Sequence, residues 1–355
     1  MQTSQIEHLV LSGGGLLGIS YIGLFKYLEE QPSGFPILKS ITGCSAGAMF
    51  GTLLAIGYKH NEMQTIVNTI NFKEYININV DSILNFMRTK GLETGNNLIN
   101  LIKKCIKDKT GDENITFIQI KEKYNINLQI GVTNLTKSKF ELCNYTNTPN
   151  VQIHQAIRAS IAIPFIFEPV VIGDEIFCDG GLLDNLPIED VINMENIMDN
   201  ISANISNIVE KSNSTKNTNT NTLENNDSND SKDDIKDAKK TKIDTTDNKI
   251  AVKSTANILG VYLIGKVDTV DKNNYQTISI LQYVSVMTQA LSRNFINKKK
   301  EIKNYIKDKD KTNHKIILFE IPCDIMTFIK INASPEDVKN IIEIAYNTTK
   351  LEMSN

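Results

Sequence analysis

Residues 12–18 read SGGGLLG and residues 43–47 read GCSAG. An apolar run precedes each turn, and a helix-like pattern of apolar residues follows it, over residues 19–29 after the first turn and 48–56 after the second. Each turn is therefore predicted to join a strand to a helix. That context is required before a Gly-x-Ser-x-Gly match indicates a catalytic serine.

Ser45 lies at the centre of the second turn and is the candidate nucleophile. A serine on a sharp turn projects its hydroxyl outward only where its neighbours are small, because the main chain passes close by on both sides. Gly43, Ala46 and Gly47 meet that requirement. The helix that follows would also direct its N–H groups and the positive end of its dipole toward Ser45, where an oxyanion forms during acyl transfer.

The candidate base is Asp179, because none of the four histidines lies in a sequence setting typical of a general base. Asp179 ends an apolar stretch and is followed by Gly180 and Gly181, so its carboxylate is expected at a strand end beside open backbone. A carboxylate within reach of a serine hydroxyl can accept its proton directly. The sequence therefore favours a Ser–Asp dyad over a triad.

Three motifs, in this order, resemble those of the patatin-like phospholipase family: GGGxxG at residues 13–18, GxSxG at 43–47 and DGG at 179–181. Local matches at residues 159–169 and 184–187 extend the resemblance. Each motif alone is a weak signal, but the combination is specific.

The resemblance implies an α/β fold, a three-layer sandwich around a central and mostly parallel sheet. It also implies a lipid acyl-hydrolase of the phospholipase A, lysophospholipase or acylglycerol lipase type, with Ser45 as nucleophile and Asp179 as base. The N–H groups of Gly13, Gly14 and Gly15 would form the oxyanion hole, and no cofactor or metal would be needed. The substrate would be a lipid ester, met at a membrane surface.

Five further glycines are assigned to the motifs as supporting residues: Gly18, Gly43, Gly47, Gly180 and Gly181. One position departs from the family pattern, because the chain has Leu17 where relatives usually carry Arg or Lys. A charge that could steer an anion is therefore missing there. This difference bears on rate and head-group preference, not on the dyad.

The composition of the chain excludes several other classes of function. With 355 residues, 22% charged residues and a net charge of −3, the chain offers no electrostatic case for nucleic-acid binding. Its five cysteines are scattered, with no C-x-x-C pair, which argues against a disulfide framework or a zinc site. We expect a soluble, cytoplasmic protein, peripheral at most to membranes, because no signal peptide or membrane-spanning run is visible.

The domain prediction is one domain interrupted by an insertion. Residues 5–206 form the catalytic core with all three motifs, and residues 251–355 are the C-terminal part of the same domain. Residues 207–250 are rich in Asn, Ser, Thr, Asp and Lys and lack aromatic residues. Such a segment has too little apolar surface to offset the entropy of ordering, so we predict that it is disordered.

Two other functions remain as alternatives. The Gly13-x-Gly15-x-x-Gly18 spacing after a strand also matches a dinucleotide-binding fingerprint, but the acidic residue expected after a second strand is absent. A non-catalytic lipid-binding or scaffold protein with the same fold is the second alternative, which Leu17 leaves open.

An apolar cluster at residues 83–87, followed by Arg88 and Lys90, has two interpretations. We favour a core helix with a basic end, which is the common origin of such a pattern. The alternative is a lid that contacts an acyl chain or a membrane, because apolar residues flanked by cations suit a lipid surface.

Overall fold

The computed structural model describes residues 2–71, 80–194, 257–265, 315–323 and 334–354. Its strands are β1 (His8–Leu11), β2 (Ser40–Cys44), β3 (Gly91–Glu93), β4 (Asn127–Asn134), β5 (Lys139–Cys143), β6 (Phe165–Phe167), β7 (Val170–Ile172), β8 (Glu175–Asp179), β9 (Asn257–Gly265) and β10 (Lys315–Cys323). Its helices are α1 (Ser20–Glu29), α2 (Ala46–Ala55), α3 (His60–Asn68), α4 (Val80–Thr89), α5 (Asn96–Thr110), α6 (Phe117–Tyr124), α7 (Ile153–Ser160) and α8 (Pro335–Ser354), and residues 188–194 are also helical.

Eight of the strands form one sheet, in the order β10-β9-β1-β2-β4-β8-β7, with β5 also paired to β4. The five strands from β10 to β4 are parallel to their neighbours, whereas β5, β7 and β8 pair antiparallel. Every residue of β1 and β2 is buried, which requires cover on both faces of the sheet. The predicted α/β fold with a mostly parallel central sheet flanked by helices is confirmed.

Strands from both sides of the predicted insertion belong to this sheet, because β9 pairs with β1 in parallel register. The chain divides into two compact units, one formed by Met1–Val191 with Thr255–Asn355 and the other by Ile192–Ser254. The sequence also predicts a long helix over residues 277–297, and both this segment and the insertion at 207–250 lie outside the described residues. The predicted domain boundaries therefore stay predictions.

Two local expectations differ from the structure. The apolar run before the second turn covers residues 37–42 and predicts a strand from residue 37, but β2 begins at Ser40 and the Ile37 side chain is 91% exposed. The preferred interpretation of residues 83–87 as a core helix is wrong, because α4 has no buried residue. A periodic apolar pattern predicts a helix correctly, but it does not identify what the apolar face contacts. No helix among the described residues has both the length and the apolar character needed to cross a membrane.

Candidate active site

The second glycine turn places Ser45 between β2 and α2. Ser45 has φ 51° and ψ −118°, a conformation that a residue with a side chain adopts only where its surroundings enforce it. A Cβ atom at Gly43 would lie 2.3 Å from the Gly47 carbonyl oxygen, and one at Gly47 would lie 2.3 Å from the Leu11 carbonyl oxygen. The turn can therefore close only with glycine at both positions.

Ser160, at the end of α7, fixes the backbone of the turn. The Ser45 N–H donates a hydrogen bond to Ser160 Oγ at 2.8 Å, and the Ser160 hydroxyl donates to the Gly131 carbonyl at 2.6 Å. Ser160 is fully buried, so both bonds are shielded from water. Because its own N–H is occupied, Ser45 cannot offer that group to an oxyanion. The sequence placed Ser160 in a family-like segment but gave no indication of this role.

Strand β4 brings Asp179 to Ser45. In the parallel pairing of β2 with β4, Cys44 lies opposite Gly131, and in the antiparallel pairing of β8 with β4, Asp179 lies opposite Val132. Gly131 and Val132, which are adjacent in β4, therefore pair with Cys44 and Asp179. Cys44 directly precedes the candidate nucleophile, and Asp179 is the candidate base. Residues 134 positions apart in the sequence, Ser45 and Asp179, meet through this register.

Asp179 is a buried carboxylic acid, 5% exposed. Burial raises the pKa of Asp179 from 3.8 to about 6, against smaller opposing effects of the Ser45 hydroxyl, the Gly181 N–H and the Cys44 thiol. The Gly181 N–H donates to Oδ1 at 2.7 Å and the Cys44 thiol lies 3.9 Å from the same oxygen. Oδ2 is buried and accepts no hydrogen bond from the described residues. The Ser45 hydroxyl is therefore close enough to the carboxylate to lower its pKa, although Oδ2 has no aligned hydrogen bond from the described residues.

The first glycine turn lies directly against the candidate nucleophile, because a Cβ atom at Gly13 would be 2.9 Å from Ser45 Cβ. The Gly13 N–H donates to Asn185 Oδ1 at 3.0 Å, and Asn185 Nδ2 donates to the Gly13 carbonyl at 3.1 Å. Among the described residues, the N–H groups of Gly14 and Gly15 make no hydrogen bond. Among the described residues, two of the three predicted oxyanion-hole donors are therefore free, and the third is engaged with Asn185. From the sequence alone, Asn185 is predicted only to pack against the backbone that follows the candidate base.

Leu17 is buried, 5% exposed, in the 3₁₀ turn that follows the glycines. Gly18 in the same turn packs against α2, since a Cβ atom there would lie 2.7 Å from the Ala46 Cβ. The glycines after Asp179 are similarly crowded, with a Cβ at Gly180 only 2.5 Å from the Gly131 carbonyl oxygen. These contacts give a steric reason for Gly18 and Gly180, whereas Gly15 has open space around a Cβ and is favoured there by its φ of 56°.

No cluster of three or more histidine, cysteine or acidic side chains that could hold a metal ion occurs among the described residues. Cys44 is fully buried, as expected for a small core residue beside the nucleophile. Of the histidines, His8 bonds Ser40, His60 bonds Glu29 and His154 bonds Asn114. Each of these rings is thus engaged with a partner outside the candidate dyad.

Comparison with known proteins identifies relatives of this chain. An uncharacterized protein, R571, of Acanthamoeba polyphaga mimivirus is 35% identical over 185 residues, which is 52% of this chain and 61% of that protein. A probable lipid hydrolase, 463L, of Invertebrate iridescent virus 6 is 28% identical over 190 residues, 53% of this chain and 64% of that protein. The chain thus matches less than two thirds of either relative.

Triacylglycerol lipase 4 of Saccharomyces cerevisiae is 31% identical over 219 residues, which is 53% of this chain and 23% of that protein. Among solved structures, VipD from Legionella pneumophila aligns with a TM-score of 0.46 and 18% identity, over 99% of this chain and 67% of VipD. Residues 9–192, which hold all three motifs, match the family model described as patatin-like phospholipase. The chain belongs to the patatin-like phospholipase family.

Proposed function

We propose that this chain is a lipid acyl-hydrolase that cleaves carboxylic esters through a Ser45–Asp179 dyad and an acyl-enzyme. One observation carries the proposal. A serine on a strained strand-to-helix turn lies beside a buried carboxylate with a pKa of about 6, and one oxygen of that carboxylate, Oδ2, accepts no hydrogen bond from any described residue. A base with a pKa near the working pH is both available to accept a proton and strong enough to do so.

In the acylation step, Ser45 Oγ attacks the ester carbonyl carbon and its proton passes to Asp179 Oδ2. The carbonyl oxygen becomes an oxyanion, which accepts hydrogen bonds from the N–H groups of Gly14 and Gly15. Collapse of this intermediate breaks the bond to the alcohol, and the leaving oxygen takes the proton from Asp179. The products are a free alcohol and an ester between the acyl group and Ser45.

In the deacylation step, water replaces the alcohol. Asp179 accepts a proton from the water as its oxygen attacks the acyl carbonyl carbon, and the same two backbone donors stabilise the oxyanion. When the intermediate collapses, the proton moves from Asp179 to Ser45 Oγ. The carboxylic acid leaves and the dyad returns to its starting state without a metal or cofactor.

The lipid class of the substrate is supported by the relatives, whose names include a probable lipid hydrolase, a triacylglycerol lipase and lysophospholipases. These names share hydrolysis of long-chain carboxylic esters and differ in head group. The proposal therefore specifies the substrate as a lipid ester and the cleaved bond as its carboxylic ester bond. Such substrates are found at the surface of a lipid phase, which the protein would meet from the aqueous side.

Labelling with a fluorophosphonate probe tests the dyad, because the probe reacts only with an activated serine. We expect the full chain to be labelled at Ser45, as located by mass mapping, and Ser45→Ala and Asp179→Asn to abolish labelling. Asp184→Asn is the matched control. Asp184 lies five residues beyond Asp179 and accepts the Leu186 N–H at 2.9 Å. It should therefore retain labelling.

A folded chain that resists labelling would refute the hydrolase proposal and favour a non-catalytic lipid-binding protein with this fold. Labelling that survives in Asp179→Asn would instead show that another group activates Ser45. If labelling behaves as expected, release of fatty acid from a lysophospholipid and from a triacylglycerol would separate the substrate classes.

A further inference from the structure

Helix α4 presents its more apolar face to solvent. Ser82, Phe86 and Thr89 are the partly buried residues of this helix. At about 100° per residue they share one face, which therefore points toward the rest of the protein. Only one of these three side chains is apolar and large, so the inward face contributes little to the core.

The opposite face of α4 carries four large apolar side chains at helical spacing, here called the α4 stripe. They are strongly exposed: Val80 71%, Ile83 54%, Leu84 73% and Met87 76%. A surface helix normally turns such a stripe toward the core. Contiguous exposed apolar residues of this kind mark a contact surface.

Phe165 of β6 enlarges this apolar surface. Its ring lies 6.2 Å from the Phe86 ring, and the side chain is 48% exposed. Phe165 has φ 70°, which is a genuine outlier for a bulky residue and is held only where the surrounding structure enforces it. The backbone therefore accepts a costly conformation to keep an aromatic side chain at the surface beside α4.

The segment that carries Phe165 also holds the candidate dyad. Ser160 accepts the Ser45 N–H, and the Ala162 carbonyl accepts the Asp179 N–H at 3.0 Å. Phe165 follows Ala162 by three residues, which span at most about 11 Å. The apolar surface is thus only a few residues along the chain from Ser160 and Ala162, which position the candidate nucleophile and base.

We propose that the α4 stripe and Phe165 form the surface by which the protein docks on a lipid bilayer that contains anionic lipid. An amphipathic helix lies in a membrane interface when apolar residues line one side and cations flank them. Arg88 is exposed and makes no ion pair with any described residue, and Lys90 is exposed just beyond the helix. The choice of a lipid phase as occupant rests on the proposed function, but docking does not require catalysis.

Vesicle co-sedimentation tests this surface, with the full chain carrying Ser45→Ala so that lipid is not hydrolysed. The decisive pair is Leu84→Asp and Asn85→Asp, which add the same charge at neighbouring exposed positions of α4. Only Leu84→Asp places the charge in the stripe. Both variants should unfold at the parent temperature, because neither position is buried.

On phosphatidylcholine–phosphatidylglycerol vesicles, we expect Leu84→Asp to lower the partition coefficient by about tenfold or more. Asn85→Asp should lower it by no more than about twofold. Vesicles of phosphatidylcholine alone should bind the parent more weakly, since their surface has no net negative charge to attract Arg88 and Lys90.

Three results would overturn the proposal: no binding of the parent, equal losses in the two variants, or a dimer in sedimentation that Leu84→Asp dissociates. The last would make the stripe a contact between two copies of the chain. Because binding is measured on an inactive variant, docking and the proposed hydrolysis can fail independently. Docking without fluorophosphonate labelling would refute hydrolysis alone, and labelling without docking would refute this surface alone.

Discussion

Replacing Asp179 by asparagine should abolish catalysis and at the same time stabilise the protein at neutral and alkaline pH. Burial raises the pKa of Asp179 from 3.8 to about 6, so the folded protein holds this proton more tightly than the unfolded chain does. The stabilising effect of the proton is complete below about pH 3.8 and is lost as pH rises through about 6. Asparagine stays neutral at every pH, so Asp179→Asn does not lose stability through ionisation at this position.

The rise from 3.8 to about 6 corresponds to about 3 kcal/mol in the free energy of unfolding. About half of this difference develops below about pH 5, and the rest, about 1.5 kcal/mol, between about pH 5 and about pH 8. Taking the difference between Asp179→Asn and parent at each pH cancels the titration of every group that the substitution leaves unchanged. The expected signal is therefore a stability advantage of the variant that grows with pH.

Urea unfolding at a series of pH values measures this advantage. Far-UV circular dichroism is the suitable probe because the chain has no tryptophan. Ser45→Ala is the control, since it is equally inactive but keeps the carboxylate. The difference in the free energy of unfolding between Ser45→Ala and the parent should not grow with pH. An Asp179→Asn difference that is constant from about pH 5 to about pH 8 would refute the assignment of Asp179 as a buried, proton-holding base.

Three further predictions concern catalysis and stability. The kcat/KM for a soluble aryl ester should rise with pH through about 6 and then level off, because only ionised Asp179 accepts the Ser45 proton; a flat profile over this range would contradict the dyad. Asn185→Ala should lower kcat by about 10- to 100-fold with little change in KM, because it removes both side-chain hydrogen bonds to Gly13 and leaves only the longer bond, at 3.3 Å, from the Gly13 N–H to the backbone carbonyl of residue 185; a loss confined to KM would speak against this positioning role. Ser160→Ala should lower the free energy of unfolding by about 1–3 kcal/mol, because it leaves the buried Ser45 N–H without its acceptor; urea unfolding with no change would contradict that estimate.

The sequence predicted the parts of the site that depend on local sterics. Glycines at positions 43 and 47 and the small residue between Ser45 and Gly47 indicate a tight turn wherever the chain goes afterwards. The Asp-Gly-Gly stretch similarly indicates a strand end with open backbone. These inferences need only the residues on either side, which is why both members of the candidate dyad could be proposed without a structure.

What could not be predicted depends on register between distant strands. Nothing in the sequence of β4 shows that Gly131 will face Cys44 and that Val132 will face Asp179. The use of Asn185 as partner of the Gly13 N–H has the same origin, since 172 residues separate them. Backbone donors are identical in every residue, so only the folded chain shows which of them are occupied.

Helix α4 illustrates a different limit. Its apolar spacing was correctly taken as helical, yet the face with the strongest apolar stripe is the exposed one. Periodicity shows only that one face of a helix is more apolar than the other. The usual inference that the apolar face is buried assumes that the exposed face contacts water. For a protein that works against a lipid phase this assumption fails, and the same pattern then marks the outer surface.

Leu17 links the departure from the family pattern to the chemistry of the site. The Leu17 side chain is 5% exposed, and a Cβ atom at Gly14 would lie 3.5 Å from the Leu17 Cβ. Leu17 therefore packs against the glycine loop. A cation at this depth would lose its hydration, a cost that only a buried counter-charge offsets. With leucine there, the proposed mechanism leaves stabilisation of the oxyanion to neutral backbone donors, which do not titrate. Asp179 is then the only ionising group in the proposed mechanism, and a rate profile with one rising limb follows from that arrangement.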